Sequence, residues 1–304
     1  MPWSRILSGI VAITAALAVT VLGGWYFTVG FSVLVYLGQR EYFDLVRAKG
    51  IVPASKTTLF VSQVLLVLAT MSAYLHNPGL ADGVLPIAGT LICFYPIFLP
   101  KLSTIAGMAS SVLGLFYAGY LPSYWIRLRL LDSTEINDLP LGGYWPDSLF
   151  NSWPLTASSL QELPQGLTVT LLAFFCIWAA DIGAYTVGRL IGKTRLSDIS
   201  PKKTVEGAMF GILGSMSVAI AGAWGLGWPF WGLSGAILGL LIGVTSILGD
   251  LTESMMKRDA GVKDSGQLIP GHGGILDRAD SYVFTAPLVY FYVTLLLPLL
   301  KVLS

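Results

Sequence analysis

Residues 230–248 read FWGLSGAILGLLIGVTSIL and hold no charged side chain, whereas residues 250–280 read DLTESMMKRDAGVKDSGQLIPGHGGILDRAD and hold ten. A helix that crosses a bilayer takes roughly 20 apolar residues, and somewhat shorter runs serve when tilted or anchored. The first stretch is such a run and Tyr282–Leu300 is another, so the charged segment reads as a loop joining two membrane helices. Its charges are Asp250, Glu253, Lys257, Arg258, Asp259, Lys263, Asp264, Asp277, Arg278 and Asp280. His272, one of two histidines in the chain, sits among Gly271, Gly273 and Gly274. A solvated basic loop is the plain reading of such a run. The mixture supports a sharper one. Carboxylates hold a hard cation such as Mg²⁺, lysine and arginine neutralise phosphate oxygens, and glycines let backbone N–H groups approach a ligand.

Working outward, the composition agrees with a membrane setting. The chain has 304 residues, 54% of them hydrophobic and 12% charged, with a mean hydropathy of +0.72. Soluble domains carry about 25% charged residues, so this pattern predicts an all-α polytopic membrane protein. The net charge of +1 says nothing about nucleic acid, and with no basic arm or aromatic-basic repeat none is expected as a partner. Cys93 and Cys176 lie inside apolar runs and read as small buried hydrophobes. The apolar run after Arg5 lacks a small-x-small exit site, so no cleaved leader is expected.

Nine spans are expected. Ile6 to Leu37 is too long for one helix and breaks at Gly23-Gly24; Thr58–Leu75, Val84–Leu99 and Leu102–Leu121 follow. The second half supplies Gly166–Leu190, Gly207–Leu226, Phe230–Leu248 and Tyr282–Leu300. Residues 1–121 thus form an N-terminal helical region, 122–165 a polar non-cytoplasmic loop or surface helix, and 166–304 the chemical region. That loop carries Asp132, Glu135, Asp138, Asp147 and Glu162. With the N-terminus inside, fifteen of the eighteen lysines and arginines fall on the cytoplasmic side, and only Arg127, Arg129 and Lys301 on the other. Tryptophans and tyrosines near the span ends fit an interfacial belt. His76 beside Asn77-Pro78 reads as a plain turn residue.

A second constellation stands in the span before residue 190. Asp181 interrupts WAADIGAY (178–185), and a carboxylate in a membrane helix costs about 2.5–3.5 kcal/mol and marks a functional site by default. Downstream, ISPKKTVEG (199–207) sets Pro201 and the hydroxyls of Ser200 and Thr204 at a helix entrance, with Lys202 and Lys203 beside it. Free N–H groups at such an entrance suit an anion.

Both constellations resemble signatures of the phosphatidate cytidylyltransferases (CDP-diacylglycerol synthases). The first runs S-x-x-K-R-x4-K-D-x-G/S-x2-hydrophobic-P-x-H-G-G-x2-D-R-x-D. It is carried here by Ser254, Lys257-Arg258, Lys263-Asp264, Gly266, Ile269-Pro270, His272-Gly273-Gly274, Asp277-Arg278 and Asp280. Ala279 stands where the family places a larger apolar residue. The second is matched by Asp181, Ala184-Tyr185, Gly188-Arg189, Gly192-Lys193, Ser200-Pro201, Lys203-Thr204 and Glu206-Gly207. Specific similarity covers roughly residues 178–285. Gln39-Arg40-Glu41-Tyr42 loosely resembles a Trp-Glu-Trp/Tyr stretch of the same family, and no function is attached to it.

The resemblance implies transfer of the CMP moiety of CTP to phosphatidic acid, forming CDP-diacylglycerol and pyrophosphate in phospholipid biosynthesis. The partners it brings are CTP, phosphatidic acid and the bilayer, with a homodimer left open. It further implies a Mg²⁺ site, with a second cation left open, on the cytoplasmic face of a bacterial-type inner membrane. Asp250 and Asp277 are the expected metal ligands, Asp280 a turn after Asp277 a further one, and Asp181 a ligand or its neighbour. Lys257, Arg258, Lys263 and Arg278 are expected at the CTP phosphates and the lipid headgroup. Ser200, Lys202, Lys203, Thr204, Asp264, Gly273 and Gly274 complete the pocket, with His272 as a hydrogen-bond donor. A phosphate nucleophile is ionised near neutral pH, which fits the absence of a Ser-His-Asp or Cys-His grouping. A carrier is the rival from another class, since Asp181 and glycine-broken helices suit an ion path. A CTP-using enzyme with another lipid acceptor, such as a polyprenol kinase or a CDP-archaeol-type synthase, is the nearer rival.

Overall fold

The computed structural model describes residues 2–77, 79–98, 104–131, 139–145, 157–268 and 273–303, with side chains from residue 9 onward. Lys101, Asp132, Glu135, Asp138, Asp147, Ile269, Pro270 and His272, and the side chain of Arg5, lie outside the described residues. The described chain is helical and holds no strand, only two isolated bridges, Leu139 with Gly143 and Arg195 with Thr204. Among the described residues nine long helices are present: α1 (Pro2–Leu22), α2 (Gly24–Ala48), α3 (Ser55–Tyr74), α4 (Gly79–Phe98), α5 (Ile105–Arg129), α6 (Gln165–Ile191), α7 (Val205–Gly225), α8 (Trp231–Asp259) and α9 (Leu276–Val302). Seven of them, α3 to α9, are long and apolar enough to cross a membrane. The described side chains of α1 make a shorter apolar helix, and α2 ends in a polar segment from Gln39 to Arg47.

The break at Gly23 has a cause in the packing. Gly23 and Gly24 both have positive φ, 64° and 52°, and a Cβ on Gly23 would collide with the Arg129 guanidinium. Arg129 occupies that place because it closes the end of α1: its Nε donates to Thr20 O at 2.5 Å and an Nη to Val21 O at 2.7 Å. The last carbonyls of a helix need donors, and a lipid environment supplies none. Residues 122–129 are therefore buried as the end of α5, where the sequence predicted the start of an exposed polar loop. Arg127 is buried as well, with Nη1 2.5 Å from Asp82 Oδ1 and its guanidinium 4.5 Å from the Tyr124 ring centre. Glu162, further along that segment, is exposed as expected.

In the second half, glycines set the spacing between helices. Gly235, Gly239 and Gly243 of α8 lie four apart on one face, and a Cβ on any of them would meet the α7 backbone at Ile220, Met216 or Ile212. Gly207 and Gly211 of α7 face the Ala184 and Ala180 carbonyls of α6 in the same way. Lipid tails are as apolar as leucine, so association in a membrane rests on such close van der Waals fit. The α6–α7–α8 sheaf fixes where the ends of these helices stand. α9 packs on α8 and α5 and is pinned by Trp125 Nε1, which donates to Tyr282 O at 3.0 Å, and by Trp178 Nε1, which donates to Tyr282 Oη at 2.6 Å.

Candidate active site

α8 does not stop where its apolar run stops. It continues through Asp259, so Asp250, Glu253 and Lys257 fall at helical spacing on one face. α9 starts at Leu276, which puts Asp277 in its first turn and Asp280 one turn on. Gly249 lets the two helices touch, since a Cβ there would meet the Asp280 carbonyl. That close crossing turns Asp280 toward α8, and carboxylate oxygens of Asp250, Glu253 and Asp280 come within 4.8 Å of one another.

Two lysines offset this concentrated negative charge. Lys257 Nζ sits between Glu253, its ion-pair partner a turn earlier, and Asp277 Oδ1 at 2.6 Å. Lys203 reaches Asp250 from the turn before α7. Glu253 is fully buried, and its Oε1 has no donor among the described residues. Asp181 of α6 is exposed and within electrostatic reach of Asp250, Lys203 and Arg278.

The loop between α8 and α9 is held by two carboxylates. Asp277 Oδ2 accepts from Ser265 N at 3.0 Å and from Gly274 N at 2.8 Å, clasping both described limbs of the loop. Glu41 comes from α2, more than two hundred residues away in sequence, and is 4% exposed. Its Oε1 accepts from Ile275 N at 3.0 Å and its Oε2 from Leu276 N at 2.8 Å. Ser265 Oγ lies between the two, 3.1 Å from Glu41 Oε2 and 2.9 Å from Asp277 Oδ2, and its single proton serves one at a time. This explains two glycines of the motif: a Cβ on Gly266 or Gly274 would collide with the Glu41 carboxylate. Gly273 has φ +84°, open to glycine at little cost.

The turn before α7 is built in a comparable way. Glu206 accepts from Lys193 N at 3.2 Å, Thr194 N at 3.1 Å and Thr194 Oγ1 at 2.9 Å. Thr204 caps α7 by accepting from Gly207 N at 3.2 Å. Val205 N donates to Thr194 O and Leu196 N to Lys203 O, each at 2.9 Å, so the turn delivers Lys203 to the acidic group.

The structure thus gathers Asp250, Asp280, Lys203, Lys257 and Asp277 at one end of the bundle, with Asp181 and Arg278 near them. Arg258 is exposed and donates to Val262 O at 3.3 Å; Lys202, Lys263 and Asp264 are exposed, and Ser200 is half-buried in the turn. The three-carboxylate group differs in membership from the expected ligand set. Glu253 joins it, while Asp277 is engaged with the loop and Lys257, and Asp181 stands outside. Sequence reasoning missed Glu253 and Glu41. The first had a signal, its i+3 spacing from Asp250, whereas Glu41 stood only in the stretch Gln39-Arg40-Glu41-Tyr42, whose loose resemblance to the family carried no function.

The sequence matches the model of the cytidylyltransferase family over residues 3–296. It is 59% identical to a phosphatidate cytidylyltransferase of Synechocystis sp., covering 99% of each chain. It is 39% identical to a chloroplastic phosphatidate cytidylyltransferase of Arabidopsis thaliana, over 90% of this chain and 69% of the relative. A phosphatidate cytidylyltransferase of Bacillus subtilis is 31% identical, over 96% of this chain and 97% of the relative. These matches run through the helices and clasps described above, and the chain belongs to the cytidylyltransferase family.

Proposed function

We propose that the chain joins the phosphate of phosphatidic acid to the α-phosphorus of CTP, forming CDP-diacylglycerol and releasing pyrophosphate. A phosphate oxygen of the lipid forms the new P–O bond, the bond from the α-phosphorus to the bridging oxygen breaks, and the electron pair leaves with pyrophosphate. The observation that carries this reading is the convergence of Asp250, Glu253 and Asp280 with Lys203 and Lys257 at one end of an apolar bundle. Both reactants are polyanions, and electrostatic positioning does most of the work in such transfers. Lys203 and Lys257 are the cations placed to receive phosphate oxygens, and Arg278 stands beside them on α9. Lys202, Arg258 and Lys263, exposed around this end, draw the nucleotide in.

Asp250, Glu253 and Asp280 would hold a divalent cation. They are hard oxygen donors, and the buried Glu253 Oε1 lacks a partner among the described residues, which fits Mg²⁺ better than a soft metal. When bound, such an ion supplies charge neutralisation to the nucleotide phosphates. Asp277 is the clasp of the loop in this reading, not a ligand. Nine spans with the N-terminus and the site on the cytoplasmic side are supported by the lysine and arginine distribution and by one structural regularity. The ends of α2, α6 and α8 and the starts of α7 and α9 meet at the same face. The location proposed is a bacterial-type inner membrane or its equivalent, and a homodimer would carry one such site in each copy.

The test supplies labelled CTP, Mg²⁺ and phosphatidic acid to the purified chain in detergent–lipid micelles. Label is expected in a chloroform-soluble product only when phosphatidic acid is present, and EDTA abolishes it. Label entering lipid only with another acceptor, or no transfer by folded protein, overturns the reading.

A further inference from the structure

An apolar cavity of about 440 Å³ lies between α1 and the faces of α2, α5, α6 and α9. Along α2 it runs from Gln39 to Phe27, twelve residues, which at ~1.5 Å per residue is on the order of 18 Å. The hydrocarbon core of a bilayer is ~30 Å thick, so this cavity has the depth of about one leaflet. Its upper end is lined by Arg278 and Ala279, from the same turn of α9 that carries Asp277 and Asp280. Toward its other end it is lined by Thr20, Phe27 and Trp125.

Most polar groups in the wall are spent elsewhere, and Gln39 Oε1 is the exception, with no donor among the described residues. Thr20 Oγ1 donates to Ala16 O at 2.7 Å, Gln39 Nε2 donates to Ser62 Oγ and Gly114 O, and Trp178 Nε1 donates to Tyr282 Oη. Such a wall gives a nucleotide or a sugar little to bond with. An elongated apolar slot with one guanidinium at its mouth fits the chain of an anionic amphiphile.

We propose that this cavity receives one acyl chain of the phosphatidate substrate, with the lipid phosphate at the Arg278 end. This rests on the reaction proposed above and adds to it the place of the acceptor's tail. Moving a chain from lipid to an apolar slot gains little hydrophobic energy, because the two surroundings are alike. The slot therefore acts through fit. A chain that fills it is well packed, one too long or too bulky is not, and the seated chain holds the headgroup beside α9.

The experiment compares dipalmitoyl with dioctanoyl phosphatidic acid in wild-type protein and in Ala16→Phe, which fills the slot far from the charged groups. By the usual cost of overfilling a packed site, kcat/KM for the dipalmitoyl substrate falls about tenfold and that for the dioctanoyl substrate stays within about twofold. An equal change for both substrates, or no change for either, overturns the inference. A second measurement does not depend on the variant folding. A phosphatidic acid carrying a diazirine in mid-chain is irradiated with the whole wild-type protein in nanodiscs. Label in α1 and α2, competed by unlabelled phosphatidic acid but not by phosphatidylcholine, supports the site. Label spread over outward residues such as Phe60 and Ile97, with no competition, overturns it. Wild-type turnover of the dioctanoyl substrate checks the reaction separately, so the two readings fail in different ways.

Discussion

Glu41 offers the sharpest test of how this site is held together. It is a buried carboxylate on α2 whose two oxygens receive Ile275 N and Leu276 N, the backbone donors that lead into α9. In Glu41→Ala both N–H groups lose their acceptor, whereas Ser265 Oγ retains Asp277 Oδ2 at 2.9 Å. An unsatisfied buried donor costs about 1–3 kcal/mol, so the loss of two amounts to about 2–6 kcal/mol of positioning. If all of it falls on the transition state, kcat/KM drops by roughly 30-fold to more than 10⁴-fold. Glu41→Gln keeps one acceptor oxygen but turns an NH₂ toward the other donor. Its loss is about 1–3 kcal/mol, or roughly 5- to 150-fold.

The assay is steady-state turnover with CTP and phosphatidic acid, read beside thermal unfolding in the same detergent. Because the clasp is local, the unfolding midpoint should move far less than turnover does. The order wild type, Gln, Ala is the prediction. An alanine variant within about threefold of wild type, or no less active than the glutamine variant, would refute the reasoning, because hydrogen-bond donors left bare at this site must cost on the scale given.

Three further outcomes are expected. Asp280→Asn removes one of the three gathered carboxylates and should lower turnover by about 10²–10³-fold and raise the Mg²⁺ concentration needed for half activity; unchanged Mg²⁺ dependence would remove Asp280 from the ligand set. Gly239→Leu forces α8 away from the Met216 backbone and should cost about 1–3 kcal/mol or more of stability, read as a lower unfolding midpoint. Asp259→Ala breaks only the exposed ion pair with Lys49, worth about 0.2–1 kcal/mol, so turnover should stay within about fivefold; a larger loss would show that this contact holds the loop.

The helices were legible because membrane burial leaves a coarse mark, an apolar run of fixed length, and the break at Gly23-Gly24 was legible because glycine pairs interrupt such runs. The ends of helices were harder. Hydropathy places the end of α8 near Leu248, but the helix continues for another eleven residues to Asp259, since a charged helix leaving the membrane satisfies its own backbone as well as an apolar one does. Arg127 and Arg129 misled for a related reason. Charge argues for exposure, yet a helix terminus buried at Gly23 needs donors, and a guanidinium supplies several. In the site, Asp280, Lys203 and Lys257 stand in the ordered motifs, and Asp250 was read from its place at a helix mouth before the first of them. Glu253 falls just before the motif begins at Ser254, and its part in the acidic group depends on how closely α8 crosses α9 at Gly249, a property of packing.

Glu41 changes how the two halves of the chain relate. The motifs all lie after residue 178, which invites the view that the first helices only anchor a catalytic second half. The geometry argues otherwise. The residues that start α9 are fixed by a carboxylate from α2, and the glycines at 266 and 274 are small because that carboxylate needs the room. Lys49, at the end of the same helix, ties down Asp259, the last residue of α8. Trp125 of α5 holds Tyr282, two residues after Asp280. The charged loop is therefore shaped from outside its own sequence. Its motif records the contacts it must accept as much as the chemistry it performs.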